Sequence, residues 1–300
     1  YYLLLALGLS LIFSVGGIVN LAHGAFYALG AYLSLEVIKF AGFGASIFIT
    51  PLLVGLLGIL FERFLLRRFY AADPILSLLV TFGLAMVAEQ ALRMVWGSAP
   101  LPSTMPPEFK GSVMLGEFML SKYRLFILGV VIVVMSGIWL LLHKTSFGRV
   151  VRAGVQKPDM VAVLGIKLQP YMMAVVMLGV ATAALGGLLF GPIAIVHPAM
   201  GTEIMTVAFV VVVIGGLGSI VGAFVAAVLV SELNAFGILI FPNFQLLDAA
   251  GPISVFEIAA RCATTHFLPA ASEASMYILM FGVLMFRPRG LLGERIERFE

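Results

Sequence analysis

Charged residues are scarce in this sequence. Only 11% of its 300 residues are Asp, Glu, Lys or Arg, whereas 62% are hydrophobic, and the mean hydropathy is +1.13. A soluble domain has about 25% charged and about 45–50% apolar residues. A water-soluble fold of this chain would therefore leave much apolar surface in water. The scarcity of charge excludes an ordinary soluble protein and favours one surrounded by lipid.

Cysteine and the common catalytic motifs are also scarce. Cys262 is the single cysteine, which excludes an internal disulfide and a cysteine-based metal cluster. The sequence has no G-x-x-x-x-G-K-S/T phosphate loop and no H-E-x-x-H motif. Its histidines lie far apart, at no metal-ligand spacing: His23, His143, His197 and His266. We therefore expect no enzymatic activity, no metal site and no cofactor in this chain.

Long apolar runs are what the sequence has in abundance. A helix that spans a bilayer needs about 20 mostly apolar residues, and several of the runs reach that length. The fold class predicted is all-α, a polytopic transmembrane helix bundle that forms one domain over residues 1–300. About eight to ten spans are expected, because residues 20–24 and 242–272 can each be re-entrant. The nine runs cover residues 1–19, 25–40, 46–66, 75–96, 123–142, 170–190, 202–214, 220–241 and 273–286.

Positive charge collects in three segments, at residues 63–68, 144–167 and 287–298. Because Lys and Arg concentrate in cytoplasmic loops, we assign all three to the cytoplasm and the net charge of +3 to orientation rather than to nucleic-acid binding. Even numbers of apolar runs separate the three segments, so residues 97–122 and 242–272 become external. Four prolines in residues 97–122 oppose a helix there.

The same topology places the N-terminus outside and predicts a multi-pass membrane protein in contact with lipid. The chain begins at Tyr1, inside an apolar run, rather than with Met and a positive segment. We therefore expect further residues before Tyr1 and no cleavable signal peptide.

Two glycine-containing segments, residues 20–24 and 215–219, interrupt apolar stretches. Irregular backbone at membrane depth is tolerated where protein or a water-filled cavity covers it, and such breaks mark translocation sites in transporters. The residues predicted to line the path are Asn20, His23, Gly24, Gly215, Gly216, Gly218 and Ser219. The alternatives are close helix packing for the glycines and a packed, hydrogen-bonded role at a helix start for His23.

Few charges fall inside the predicted spans. Glu89 and Arg93 lie four residues apart on one helix face near the outer end of the fourth run, where an interfacial ion pair explains them. Glu232 lies deep in its run. A proton-driven carrier would need carboxylates near the midplane of several spans, so this composition does not favour one.

The basic loop at residues 143–168 has internal order. Cationic residues at Arg149 and Arg152 precede apolar residues at helical spacing, and Gly165 supplies a stop. This pattern predicts a short amphipathic helix parallel to the membrane that docks another protein. The alternative is a loop that only fixes orientation.

Four motifs carry a resemblance to a known family, in the family's order and over nearly the whole chain. They are Val19-Asn20-Leu21-Ala22-His23-Gly24-Ala25-Phe26-Tyr27 with Gly30-Ala31-Tyr32; Gly148-Arg149-x-x-Arg152-Ala153 with Leu164-Gly165-Ile166; Gly215-Gly216-x-Gly218-Ser219-x-x-Gly222-Ala223; and Phe286-Arg287-Pro288-Arg289-Gly290-Leu291. The set resembles the permeases of branched-chain amino acid ABC importers, and is similar to the H-type subunit rather than the M-type.

The resemblance implies a permease that pairs with an M-type permease, two cytoplasmic ATPase subunits that use ATP and Mg, and an external solute-binding protein. It implies transport of branched-chain amino acids across the bacterial inner membrane; other members carry urea, short amides or organic acids. Residues 247–272 look longer than is usual, and Gln156-Lys157-Pro158-Asp159 replaces the usual acidic-Asn-Pro pattern. The loop residues expected to engage the ATPase are Gly148, Arg149, Arg152, Ala153, Ala162, Leu164, Gly165 and Ile166.

Two other classes remain open from the residues alone. A stand-alone secondary carrier or channel would need no ATPase, and a structural membrane subunit would have no pathway of its own.

Overall fold

The computed structural model describes residues 1–17, 20–69, 74–103, 105–115, 118–240 and 268–293. Within them lie ten α-helices, and four helical segments, among them His23–Phe69, are long and apolar enough to cross a membrane. The protein is a polytopic helical membrane protein, as predicted. The helices are α1 (Tyr2–Gly16), α2 (His23–Phe64), α3 (Pro74–Trp96), α4 (Lys122–Lys144), α5 (Ser146–Gln156), α6 (Pro158–Val163), α7 (Gln169–Phe190), α8 (Met200–Gly215), α9 (Ile220–Ile240) and α10 (Leu268–Phe286).

Helix α2 is two spans joined at Gly42. Its 42 residues would extend about 63 Å as a straight helix, roughly twice the thickness of the hydrocarbon core. Gly42 has φ +78° and ψ 170°, a conformation that glycine adopts without steric cost. The two halves fold back on each other, as shown by the rings of Phe26 and Phe61, whose centroids lie 5.2 Å apart. The kink therefore falls in the gap between the second and third apolar runs of the sequence, residues 25–40 and 46–66.

The segment between α3 and α4 contains a short antiparallel hairpin. Strands β1 (Ser112–Leu115) and β2 (Phe118–Ser121) pair from Ser112 opposite Ser121. Among the described residues of this segment, no α-helix occurs before Lys122, where α4 begins, as expected from the prolines. The hairpin itself was not predicted. Leu101 also exchanges two backbone hydrogen bonds with Val196, at 2.8 and 3.1 Å. The segment is therefore tied to the connection between α7 and α8.

The chain divides into two compact units, and the boundary falls within α8 after Phe209. In the first unit, α7 packs against both α1 and α2, and small residues of α7 such as Ala183 and Ala184 are fully buried there. By contrast, Phe48, Leu79 and Val133 on α2, α3 and α4 are exposed. Exposed large apolar side chains along spanning helices are expected where lipid covers them.

In the second unit, α9 packs against α10. The predicted external segment at residues 242–272 lies largely outside the described residues. So do the last residues of the basic tail, from residue 294 onward.

Candidate functional site

The break between α1 and α2 lies against α3, one of the helices long and apolar enough to span a membrane. Helix α1 ends at Gly16, and the Asn20 side chain is buried, where its Oδ1 accepts a hydrogen bond from the Ala22 N–H at 3.0 Å. The Leu21 N–H donates to Thr81 Oγ1 at 3.2 Å. Thr81 is seven residues into α3, about 10 Å along its axis. The predicted interruption is confirmed, and side chains satisfy part of its backbone.

His23, the first residue of α2, is fully buried. Its ring lies close to Gly8 and to Thr182, which is about midway along α7. The imidazole is beside the Leu5 carbonyl, but neither ring nitrogen forms a well-oriented hydrogen bond. The packed position considered for His23 is confirmed, whereas its hydrogen bond is not found among the described residues.

Gly24 is at the point where the first turn of α2 crosses the first turn of α8. A Cβ atom on Gly24 would collide with the Gly201 carbonyl, and a Cβ on Gly201 would collide with the Gly24 carbonyl. Small residues allow such close backbone approach within membranes. The packing role of Gly24 is therefore confirmed, while its predicted place on the path stays a prediction.

A cavity of about 220 Å³ lies between α2, α3 and the start of α8. Most of its lining is apolar, and Glu89 is the one charged residue among the lining side chains. Arg93 donates to Glu89 Oε1 at 2.6 Å, which confirms the predicted ion pair. The Thr202 hydroxyl donates to Glu89 Oε2 at 2.8 Å. The pair is thus also a link between α3 and α8, which sequence spacing could not reveal because Thr202 lies 113 residues away.

The second group of path candidates forms the turn between α8 and α9, in the second unit. Gly216 and Gly218 have φ values of +101° and +85°. Ser219 precedes α9, and its Oγ accepts a hydrogen bond from the Gly222 N–H at 3.0 Å, as a helix cap does. The Gly215 carbonyl accepts from the Leu292 N–H at 3.1 Å. These contacts give the four residues a turn-forming role, and their path role stays a prediction.

The last two family-like motifs meet at this turn. Besides the Leu292 contact, the Leu291 N–H donates to the Ile214 carbonyl at 2.8 Å. Both acceptors belong to the last turn of α8, whose carbonyls have no partner within their own helix. The segment after α10 therefore caps α8.

The basic loop forms two helices, α5 and α6, so the prediction of one amphipathic helix is wrong in that detail. Lys157 between them has φ −143° and ψ 75°, because the residue before a proline is disfavoured in the helical region. The predicted stop is confirmed: Gly165 has φ +75°, and the next N–H, from Ile166, donates to the Val161 carbonyl at 3.3 Å.

Most of the predicted coupling residues are exposed. Gly148 is buried against Leu142, and Ile166 is half-buried. Arg152 is exposed, yet its guanidinium donates to the Leu142 carbonyl at 2.7 Å and so fixes α5 to the end of α4. The exposed members are Arg149, Arg152, Ala153, Ala162, Leu164 and Gly165.

The exposed surface of α6 and the residue after it is unusually apolar. Val163 and Leu164 are 83% and 76% exposed, and Met160 is exposed beside them. These side chains were part of the predicted apolar stretch, but only the fold shows that they point away from the protein.

No group of three or more His, Cys, Asp or Glu side chains that could hold a metal ion occurs within the described residues.

Interrupted apolar helices are typical of membrane transporters, and this chain combines them with the exposed α5–α6 helices. The family model for the permease component of branched-chain amino acid transport systems matches residues 1–286. The chain belongs to this family.

The curated relatives agree with that assignment. The chain is 26% identical to the high-affinity branched-chain amino acid transport system permease protein BraD of Pseudomonas aeruginosa, over 97% of the chain and 91% of BraD. It is 22% identical to the permease protein LivH of Escherichia coli, with the same coverage. It is also 26% identical to a probable LivH of Methanocaldococcus jannaschii, over 97% of the chain and 88% of that protein. No solved structure gave a significant match.

Proposed function

We propose that this protein is the permease subunit of an ABC importer that moves branched-chain amino acids, or closely related small solutes, across the inner membrane. Separate subunits hydrolyse ATP. The exposed apolar surface formed by Met160, Val163 and Leu164 carries the proposal, because such a patch outside the spans marks a protein–protein contact.

The α5–α6 pair is suited to transmit a push from an ATPase. Arg152 holds α5 to the end of α4, and the Phe147 ring stacks on the Tyr171 ring at the start of α7, with centroids 5.7 Å apart. A displacement of α5 would therefore move both α4 and α7. The hydrolysing partners would be two ATPase subunits with ATP and Mg.

On the other side, the partners would be a second, M-type permease and an external solute-binding protein. ATP-driven movement of α4 and α7 would change access at the two predicted path segments, residues 20–24 before α2 and residues 215–219 before α9. The buried His23 beside Thr182 lies where α1, α2 and α7 meet, so a relative shift of these helices would act directly on it.

The names of the relatives, which specify branched-chain amino acids, support this choice of substrate. Urea, a short amide or an organic acid is the alternative within the family. A stand-alone carrier or channel is the alternative outside it, and the α5–α6 surface disfavours it because a carrier needs no docking helix.

The test is uptake of radioactive leucine into proteoliposomes that contain the assembled complex and its binding protein. We expect uptake to require ATP and to persist when an ionophore collapses the ion gradients. Uptake that is abolished by the ionophore and indifferent to ATP would establish a secondary carrier instead. If the binding protein bound urea or an amide instead of leucine, the assigned substrate would be wrong, but the assignment to the ABC importers would stand.

A further inference from the structure

We propose that the cavity beside Glu89 is a binding site for the substrate within this subunit, and that the Glu89 carboxylate receives the ammonium group of an amino acid. The proposal rests on the function proposed above. It adds a site, and a residue that recognises one chemical group of the solute.

The size of the cavity suits a small solute. Pockets that take drug-sized ligands measure about 300–1,000 Å³, whereas this one measures about 220 Å³. Its apolar lining includes Phe82, Ala85, Met205 and Phe209. A branched aliphatic side chain could pack against these apolar groups, and no polar atom of their side chains would lose a hydrogen bond.

The charge in the cavity suits an ammonium group. A carboxylate in an apolar surrounding needs a counter-charge or hydrogen-bond donors. Glu89 has them in Arg93 and Thr202, and still leaves 24% of its side chain exposed. A carboxylate accepts about four hydrogen bonds, so an incoming ammonium group finds acceptor positions beside the two that are occupied.

The neutral charge balance favours an amino acid over a simple cation. Glu89 and Arg93 together carry no net charge, and neither does a zwitterion. The ammonium group would pair with Glu89, whose other partner, Arg93, does not itself line the cavity. Binding therefore adds no net charge to a low-dielectric site, where an uncompensated charge is expensive.

The position of the cavity suits a solute delivered from outside. Glu89 is seven residues before Trp96, the end of α3, and so about 10 Å below that end. The floor of the cavity includes Leu21 and Gly201, which belong to the break before α2 and to the first turn of α8. The site thus lies between the predicted external segment and the predicted path.

The test uses the purified permease–ATPase complex in lipid nanodiscs, without the binding protein, and measures equilibrium binding of radioactive leucine. We expect saturable binding of leucine. 3-Methylbutylamine, which keeps the ammonium group of leucine, should compete with it, whereas 4-methylpentanoate, which lacks that group, should not. Glu89→Gln should weaken leucine binding about tenfold or more, the value of a charged hydrogen bond. It should also abolish competition by the amine.

Two control variants separate recognition from a structural effect. Glu203 lies next to Thr202 in the first turn of α8, but it is 67% exposed, lies beside His197 and does not line the cavity. The Glu203→Gln complex should therefore bind leucine as the unmodified complex does. Thr202→Val removes the hydrogen bond between α3 and α8 but keeps the carboxylate, so competition by the amine should persist.

A variant that fills the cavity gives an independent measurement. Ala85→Leu should reduce leucine binding about tenfold more than alanine binding, because the larger side chain loses its space. Val87→Leu, an exposed position on α3, should change neither.

Absence of leucine binding to the unmodified complex would overturn this site, and so would unchanged binding by an assembled Glu89→Gln complex. Neither result would affect the function proposed above, because ATP-driven uptake through the binding protein is measured separately.

Discussion

At the scale of single residues, Gly24 and Gly201 decide how closely α2 and α8 approach. Each would place a Cβ atom against the backbone carbonyl of the other, and a backbone cannot rotate away as a side chain can. A substitution at Gly24 therefore acts first on packing, and only through packing on the predicted path.

We predict that Gly24→Ala destabilises the protein by about 1–3 kcal/mol, the usual cost of overpacking, and reduces uptake in parallel. Thermal unfolding in detergent and uptake in proteoliposomes measure the two effects. Gly83→Ala in α3 is the matched control, because nothing lies within 4 Å of the position of its Cβ. A Gly24→Ala protein as stable and active as Gly83→Ala would contradict the close-packing interpretation.

At the scale of elements, the α5–α6 pair has two faces with different roles, one that packs against the spans and one that is exposed for docking. One face is buried through Gly148, Val151 and Gly154, and holds the pair to the spans. The other presents Val163 and Leu164 to the surroundings. Arg152 belongs to the first role by its hydrogen bond to Leu142, so Arg152→Glu would disturb the loop as well as any docking.

The sharper test of docking is Val163→Glu. We expect the permease to fold and insert normally, since this side chain is 83% exposed, while ATPase subunits no longer co-purify and uptake is lost. Lys167→Gln, an exposed position beyond the Gly165 turn, should retain both. Normal assembly and ATP-driven uptake by Val163→Glu would remove this surface from the proposed coupling route.

At the scale of the whole molecule, the predicted orientation puts the two proposed sites, the cavity beside Glu89 and the α5–α6 surface, on opposite sides of the membrane. The positive-charge distribution predicts residues 97–122 outside and residues 143–168 in the cytoplasm. In that orientation the solute cavity would lie toward the proposed binding protein, and the α5–α6 surface would lie toward the proposed ATPases.

Cysteine labelling of intact cells tests this topology. In a Cys262→Ser background, Glu108→Cys should react with a membrane-impermeant maleimide, whereas Lys157→Cys should react only after permeabilisation. Both positions are exposed, so reagent access is not limited by the fold. The reverse labelling pattern would invert the topology and place the α5–α6 surface outside, where no ATPase could reach it.

The sequence by itself determined the class of molecule and most of its elements. Low charge and long apolar runs required lipid. The gap between the second and third apolar runs and the prolines in residues 97–122 marked where helices stop, and the motifs indicated the family. These features are local, because hydropathy, glycine φ freedom and the missing N–H of proline act within a few residues.

Only the tertiary structure decided which distant residues meet. The hydrogen bond between Thr202 and Glu89, the crossing of Gly24 with Gly201 and the capping of α8 by Leu291 each join residues separated by more than 70 positions. A low content of charged residues thus predicts many spans but does not predict the cavity. Its existence depends on the packing of three helices, and no periodicity within one helix encodes the face on which another will lie.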